Sequence, residues 1–290
     1  MTAISANKPV AQDANLPFKV RQRLNELEGK VNAFAKKMIA MNTKAPHITT
    51  QLLSEMSLGA CASPSSKYIK INSLLLLKAS DLPTKLQLKG MNDPRLQSNA
   101  YLEEVSNWIS SYFNLPKKPL NSIDKHYIRV FLQFISDPKL SDYARDFVLG
   151  HEVAHIIHQH RGELFPFLDF LANVTNLFLY GVYLTTSSAA VAAACSQVIP
   201  MVAAAYIVAT LYESSISKTM EKEADLTSVR HVKNAKEGGV YYFDTCANDN
   251  KKALENGLAS WFQCYSNGDK RFNWTHPALS ERINYIKKAY

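Results

Sequence analysis

Residues 144–158 read ARDFVLGHEVAHIIH, and the two histidines spaced four apart in this run decide how the rest of the chain is read. Ala144, Val148, His151 and His155 recur at intervals of four, three and four. That spacing is one stripe of a helix, and it turns both histidines inward. On such a helix His151 and His155 lie one turn apart on the same face, so both imidazoles can reach one metal ion. Glu152 is rotated off that axis yet stays within reach of a metal-bound water. Zinc lowers the pKa of such a water toward neutrality. Glu152 then takes its proton as the water attacks a carbonyl, and passes it to the leaving amine. Ser141 and Asp142 offer capping chemistry at the start of this helix. The plain alternative is a pair of core or surface histidines with no metal.

A zinc site needs a further ligand. The extended pattern HExxHxxGxxH is absent, because His158 and Arg161 occupy its last two fixed positions. His158 lies too far along the same helix to close a tetrahedron with His151 and His155, and reads as a supporting or surface histidine. The better candidate is in SKTMEKEADLTSVR, residues 217–230. Glu221 and Asp225 are four apart and share a helix face. Glu221 can complete a His₂Glu site, and Asp225 can accept a hydrogen bond from the non-coordinating nitrogen of a ligand histidine. Glu223 is rotated to the far side and fits neither role. A solvated acidic helix face is the alternative.

HEVAH, the later SKTMEKEAD and THPALSERI at 275–283 together resemble the HtpX-type and CAAX-prenyl-protease family of zinc metallopeptidases, the forty-eighth metallopeptidase family. That family carries HExxH, then S-R-x-x-E-x-x-A-D, then T-H-P-x-x-x-x-R. Here Lys218 stands where the family has Arg, while Ser217, Glu221, Ala224, Asp225, Thr275, His276, Pro277 and Arg282 match. The clear resemblance covers residues 138–290 and is fainter before residue 80. It implies one Zn²⁺ per subunit on His151, His155 and Glu221, a protein or peptide substrate, and Glu152 as general base. It further implies that His276 sits near the zinc, assisting the oxyanion or regulating access, and that Arg282 pairs with acidic groups of the site. Pro277 suits a first helical turn, which makes His276 read as a helix cap. The family also clamps its substrate backbone with an Asn-Ala-Phe-like strand. The nearest segment here is Gly59–Ala62, which lacks the Asn and the aromatic, although an edge strand there can still bind an extended peptide through its backbone.

Outward from this centre the chain divides as follows. Residues 1–15 are a polar, small-residue lead-in without the apolar core of a signal peptide. Residues 16–79 hold a helix with apolar positions Leu24, Leu27, Val31, Phe34, Met38 and Met41, then β-like runs at His47–Leu53 and Lys67–Leu77. LGACASPSS between the runs has turn chemistry. Residues 80–137 read as an inserted helical module with helices at Ala100–Phe113 and Ile123–Ile135. Residues 138–163 carry the HExxH helix, and 213–290 the second ligand helix and a C-terminal helical part. The expected fold is therefore mainly α with a small β-sheet, the HExxH helix lying beside an edge strand.

Residues 164–212 are different. No charged residue occurs from Phe170 to Tyr212. Leu164–Leu184 and Ala189–Tyr212 are each about long enough to span a bilayer as a hairpin. Asp169, Asn173, Asn176, Gln197 and Pro200 equally suit a buried helix pair, so both readings stand. The net charge of +8 is also uneven: residues 1–95 hold 14 Lys/Arg against 6 Asp/Glu, and the remainder holds 19 of each. A face toward anionic lipid and a solvated surface both account for that. No basic-aromatic motif points to nucleic acid. Four scattered cysteines do not form a disulfide framework. With the motifs above, these features predict a zinc metalloendopeptidase, membrane-associated with its site on the cytoplasmic side or cytoplasmic, and the family resemblance implies a role in membrane protein quality control. A non-catalytic zinc-binding or chaperone-like module on the same fold is the alternative. Oligomeric state is not legible.

Overall fold

The structure, a computed structural model, describes residues 16–39, 44–53, 57–89, 93–160, 189–260, 263–271 and 273–289, with backbone alone at 189–199, 201, 202 and 205. It is mainly helical with a small three-stranded sheet. Two compact units are present. The first comprises residues 1–159, 223–272 and 278–290, and the second 160–222 and 273–277.

The first unit begins with α1 (Phe18–Met38), which buries Val20, Leu24, Leu27, Val31 and Phe34 along one face. Asn32 of α1 donates to the Ile48 carbonyl at 2.9 Å and accepts from the Ile48 amide at 3.0 Å, so the chain entering the sheet has its polar groups satisfied. The sheet has the order β1-β3-β2, with β1 (Thr49–Leu53) parallel and β2 (Ala60–Ser63) antiparallel to β3 (Tyr68–Asn72). β2 is thus an edge strand, and it packs against the HExxH helix. The run with turn chemistry, LGACASPSS, supplies that strand, because Ala and Ser offer no periodicity but pair readily through the backbone.

The second β-like run splits. Ile69 and Ile71 are buried on one face of β3, while Ser73–Leu76 forms a single helical turn, α2. Leu74, Leu75, Leu76 and Leu77 are all buried, and an all-apolar run carries no period to separate strand from helix. What fixes the turn is Arg145. Its Nε donates to the Leu75 carbonyl at 2.9 Å and its Nη2 donates to the Leu77 carbonyl. Burial, opposed by the neighbouring Asp142 carboxylate, pulls this guanidinium down to about 10. Replacing it orphans two buried carbonyls, so Arg145→Met is expected to lose about 3 kcal/mol of stability. A lowered urea midpoint with an unchanged slope checks this.

After three 3₁₀ turns come α3 (Asn99–Tyr112) and α4 (Ser122–Phe134), each capped by a side chain, Ser98 and Asn121. Helix α5 (Pro138–Ile157) contains HEVAH. Its cap is Asp137, which accepts from the Leu140 amide at 2.9 Å, with Pro138 in the first turn. Ser141 and Asp142 are not the caps: Ser141 donates to the Pro138 carbonyl and Asp142 pairs with Arg145. Proline at the first position starts the helix one turn ahead of those two residues. Helix α6 (Ala189–His231) runs unbroken through Pro200, and α7 (Ala235–Glu255) and α8 (Leu279–Lys288) follow. Gly238 of α7 lies so close to α5 that a Cβ there would stand 2.2 Å from the Tyr143 carbonyl oxygen. His276 does not cap α8. The helix starts at Leu279, and the Asp269 carboxylate holds the Ser280 amide at 2.9 Å and its hydroxyl at 2.6 Å.

In the second unit the described residues are 160, 189–222 and 273–277. Tyr206, Ile207, Val208, Leu211 and Tyr212 are exposed. Ser217 donates to the Thr275 carbonyl at 2.7 Å. Among the described residues no helix is long and apolar enough to cross a membrane. Residues 1–15 and the first arm of the expected hairpin, Leu164–Leu184, lie outside them, as do the side chains of 189–199 in the second arm.

Candidate metal centre

Helix α5 places His151 and His155 one turn apart, with their Nε2 atoms 3.0 Å from each other and the rings nearly perpendicular at 82°. Two imidazole nitrogens on one tetrahedral zinc ion stand about 3.3 Å apart, from a Zn–N bond of about 2.05 Å. The pair is therefore close to the separation that a shared ion requires. Because α6 is continuous, Glu221 stands one turn before Asp225 on it. His151, His155 and Glu221 each offer a ligand atom, and these atoms lie within 4.8 Å of one another. Two neutral imidazoles and one carboxylate suit zinc in both donor type and number. These three residues could hold a metal ion.

Asp225 is wholly buried and orients the His151 ring. His151 Nδ1 lies 2.8 Å from Asp225 Oδ1. With the Nδ1–H donating to that carboxylate, the Nε2 lone pair faces His155. The carboxylate also accepts a fork from Arg282, Nε at 2.8 Å and Nη2 at 2.6 Å, and a bond from the Tyr285 hydroxyl. Burial pushes the Asp225 carboxyl up, but the Arg282 and His151 charges and hydrogen bonds together outweigh it and hold it below the ordinary range. The stability it contributes is full above the unfolded carboxylate value of about 3.9 and is lost as pH falls through its lower folded value.

The close crossing of α5 and α6 makes this register possible. A Cβ on Gly150 would lie 2.5 Å from Ser228 Oγ and 2.7 Å from Val232 Cγ2, so only glycine fits there without a shift. Ser228 donates to the Phe147 carbonyl at 2.9 Å across the same crossing. Asp225 is three residues before Ser228, and His151 is next to Gly150. The contact that needs glycine is thus the contact that brings carboxylate to imidazole.

Glu152 is buried, at 8 % exposure. Tyr242 of α7 shares its surroundings. Burial pushes the Tyr242 phenol well up, Cys246 adds to this, Arg282 opposes it and Glu152 adds again. The Tyr242 hydroxyl donates to the Leu58 carbonyl at 2.9 Å, just ahead of edge strand β2. His276 Nε2 lies 3.6 Å from Glu221 Oε1, and Thr275 Oγ1 is 2.8 Å from His276 Nδ1. Tyr285 and Tyr242 were not among the residues read from the sequence. Tyr285 is three residues past Arg282 on α8, and that helical spacing is the one signal that could have found it. Nothing local marks Tyr242.

Two histidines of an HExxH helix and a glutamate that could hold a metal ion, with a buried aspartate on the first histidine, are the residue set that a metallopeptidase uses. A family model described as Peptidase family M48 matches residues 5–290, and the chain belongs to that family. No curated protein and no solved structure matches it.

Proposed function

We propose that the protein is a zinc-dependent endopeptidase whose metal is held by His151, His155 and Glu221. The observation that carries this reading is the convergence of those three ligand atoms, with Asp225 fixing the tautomer of His151. Zinc at this position would polarise the scissile carbonyl and lower the pKa of the attacking water. The chain's own groups do the rest. Glu152, next to His151 but turned about 100° around the helix, takes the proton from that water and delivers it to the departing amine nitrogen. His276, beside Glu221 and steadied by Thr275, is placed to donate to the carbonyl oxygen as charge develops there. Edge strand β2 receives an extended peptide through its backbone groups, which makes recognition tolerant of side-chain sequence. The exposed Tyr206, Ile207, Val208, Leu211 and Tyr212 and the basic N-terminal third support action near a membrane surface on damaged membrane proteins.

The test is hydrolysis of an unfolded protein such as casein. Internal fragments are expected, lost with a zinc chelator and restored by zinc. A folded, zinc-loaded protein that releases only terminal residues contradicts the endopeptidase reading, and one that cleaves nothing contradicts the peptidase reading altogether.

A further inference from the structure

We propose that the first unit carries a binding site for a phosphate ester, in a cavity walled by α4, α7 and the start of α3. No residue of this wall belongs to the metal centre. The cavity measures about 580 Å³, within the usual size of a small-molecule site. Lys125 and Arg129 line it from α4, and Lys252 lines it from α7. Among the described residues no carboxylate pairs with any of these three cations. Glu255 is the one acid among the described residues of the wall, and Asp249 lies off it, engaged by His126 Nε2. Lys125 and Arg129 are four apart, so α4 presents two like charges on one face, an arrangement that destabilises an isolated helix. Lys252 adds a third cation, and a bound anion offsets the repulsion among them.

Two of the cations are held ready. Arg129 Nε donates to the Leu96 carbonyl at 2.9 Å, and Lys252 Nζ donates to Gln133 Oε1 at 2.8 Å. Both acceptors are neutral. They fix the side chains in place and leave the charges uncancelled, so less freedom is lost when an anion binds. A guanidinium tied through Nε keeps its Nη donors for phosphate oxygens, while ammonium groups act as point charges. Helices α3 and α4 open at the wall, with Asn99 and Ser122, and the partial positive charge of those ends adds to the field. Glu255, in the last turn of α7, opposes it. Three cations less one carboxylate leave a formal excess of two. A phosphate monoester carries close to two negative charges at neutral pH and matches that excess better than a carboxylate does. Leu96 and Leu258 give the wall an apolar part, which suits the organic portion of an ester.

The site does not depend on the peptidase reading. Glycerol 3-phosphate is titrated into the full chain at constant ionic strength, with chloride as the control salt, and both the heat of binding and the melting temperature are followed. Wild type is expected to bind saturably, with a rise in melting temperature that chloride does not give. Arg129→Gln and Lys252→Gln should each weaken binding about tenfold or more. Glu255→Gln should tighten it, an outcome that damage to the fold does not produce. Co-sedimentation with phosphatidylcholine vesicles carrying phosphatidic acid, reduced in the two cation variants, identifies the phosphate as a lipid headgroup. Saturable binding of glycerol 3-phosphate without co-sedimentation identifies a soluble ester. Absence of saturable binding to folded wild type overturns the inference, as does an affinity that the three substitutions leave unchanged.

Discussion

Glu152→Gln is expected to lower the rate of peptide hydrolysis about a thousandfold while the protein keeps its zinc and its fold. The substitution preserves the volume of a buried side chain, so α5 should form as before. Glutamine cannot accept the proton of the attacking water, and this proton transfer accounts for about 4 kcal/mol of the barrier at that rate ratio. Because Glu152 is not one of the three proposed ligands, metal content should stay at the wild-type level. Measuring turnover and bound zinc on the same preparation checks both halves. Wild-type turnover in the variant would remove Glu152 from the chemistry. Loss of zinc would mean that it acts in holding the ion instead.

Asp225→Ala should have the second large effect, on binding and on folding together. It removes the acceptor for the His151 Nδ1 proton, for the Arg282 fork and for the Tyr285 hydroxyl at once. Arg282 is itself buried, at 6 % exposure, and a buried guanidinium left without its carboxylate costs about 3–5 kcal/mol. Losing the orienting partner of a ligand histidine costs about 10–100-fold in metal affinity. Asp225→Asn separates the two effects, since it keeps the shape and one acceptor oxygen but removes the charge. The expected order of zinc affinity, read by competition with a chelator, is wild type, then Asn, then Ala. Equal affinity in all three would show that His151 is oriented by something other than Asp225.

These two residues also show what was legible in the sequence. His151, His155 and Glu152 could be read because their relations are set by helical spacing within five residues. Glu221 and Asp225 could be read for the same reason, and the T-H-P motif drew attention to Arg282. What could not be read depends on contacts between distant segments. Leu74–Leu77 looks like strand until Arg145, some seventy residues later, is seen to hold its carbonyls. Ala60–Ser63 has no pattern of its own and becomes a strand through pairing with β3. The segment from 138 is legible as the HExxH helix, but its cap is Asp137 ahead of Pro138 and not Ser141 or Asp142, whose side chains serve the Pro138 carbonyl and Arg145. Tyr242 reaches the site environment from a helix that begins over eighty residues after Glu152.

The most direct measurement is the zinc content of the chain after exhaustive dialysis, in wild type and in His155→Ala and Glu221→Ala. The account predicts one retained zinc per chain in wild type and none in either variant, with all three proteins folded. Retention of that zinc in both variants, or its absence from folded wild type under zinc-replete conditions, would contradict it.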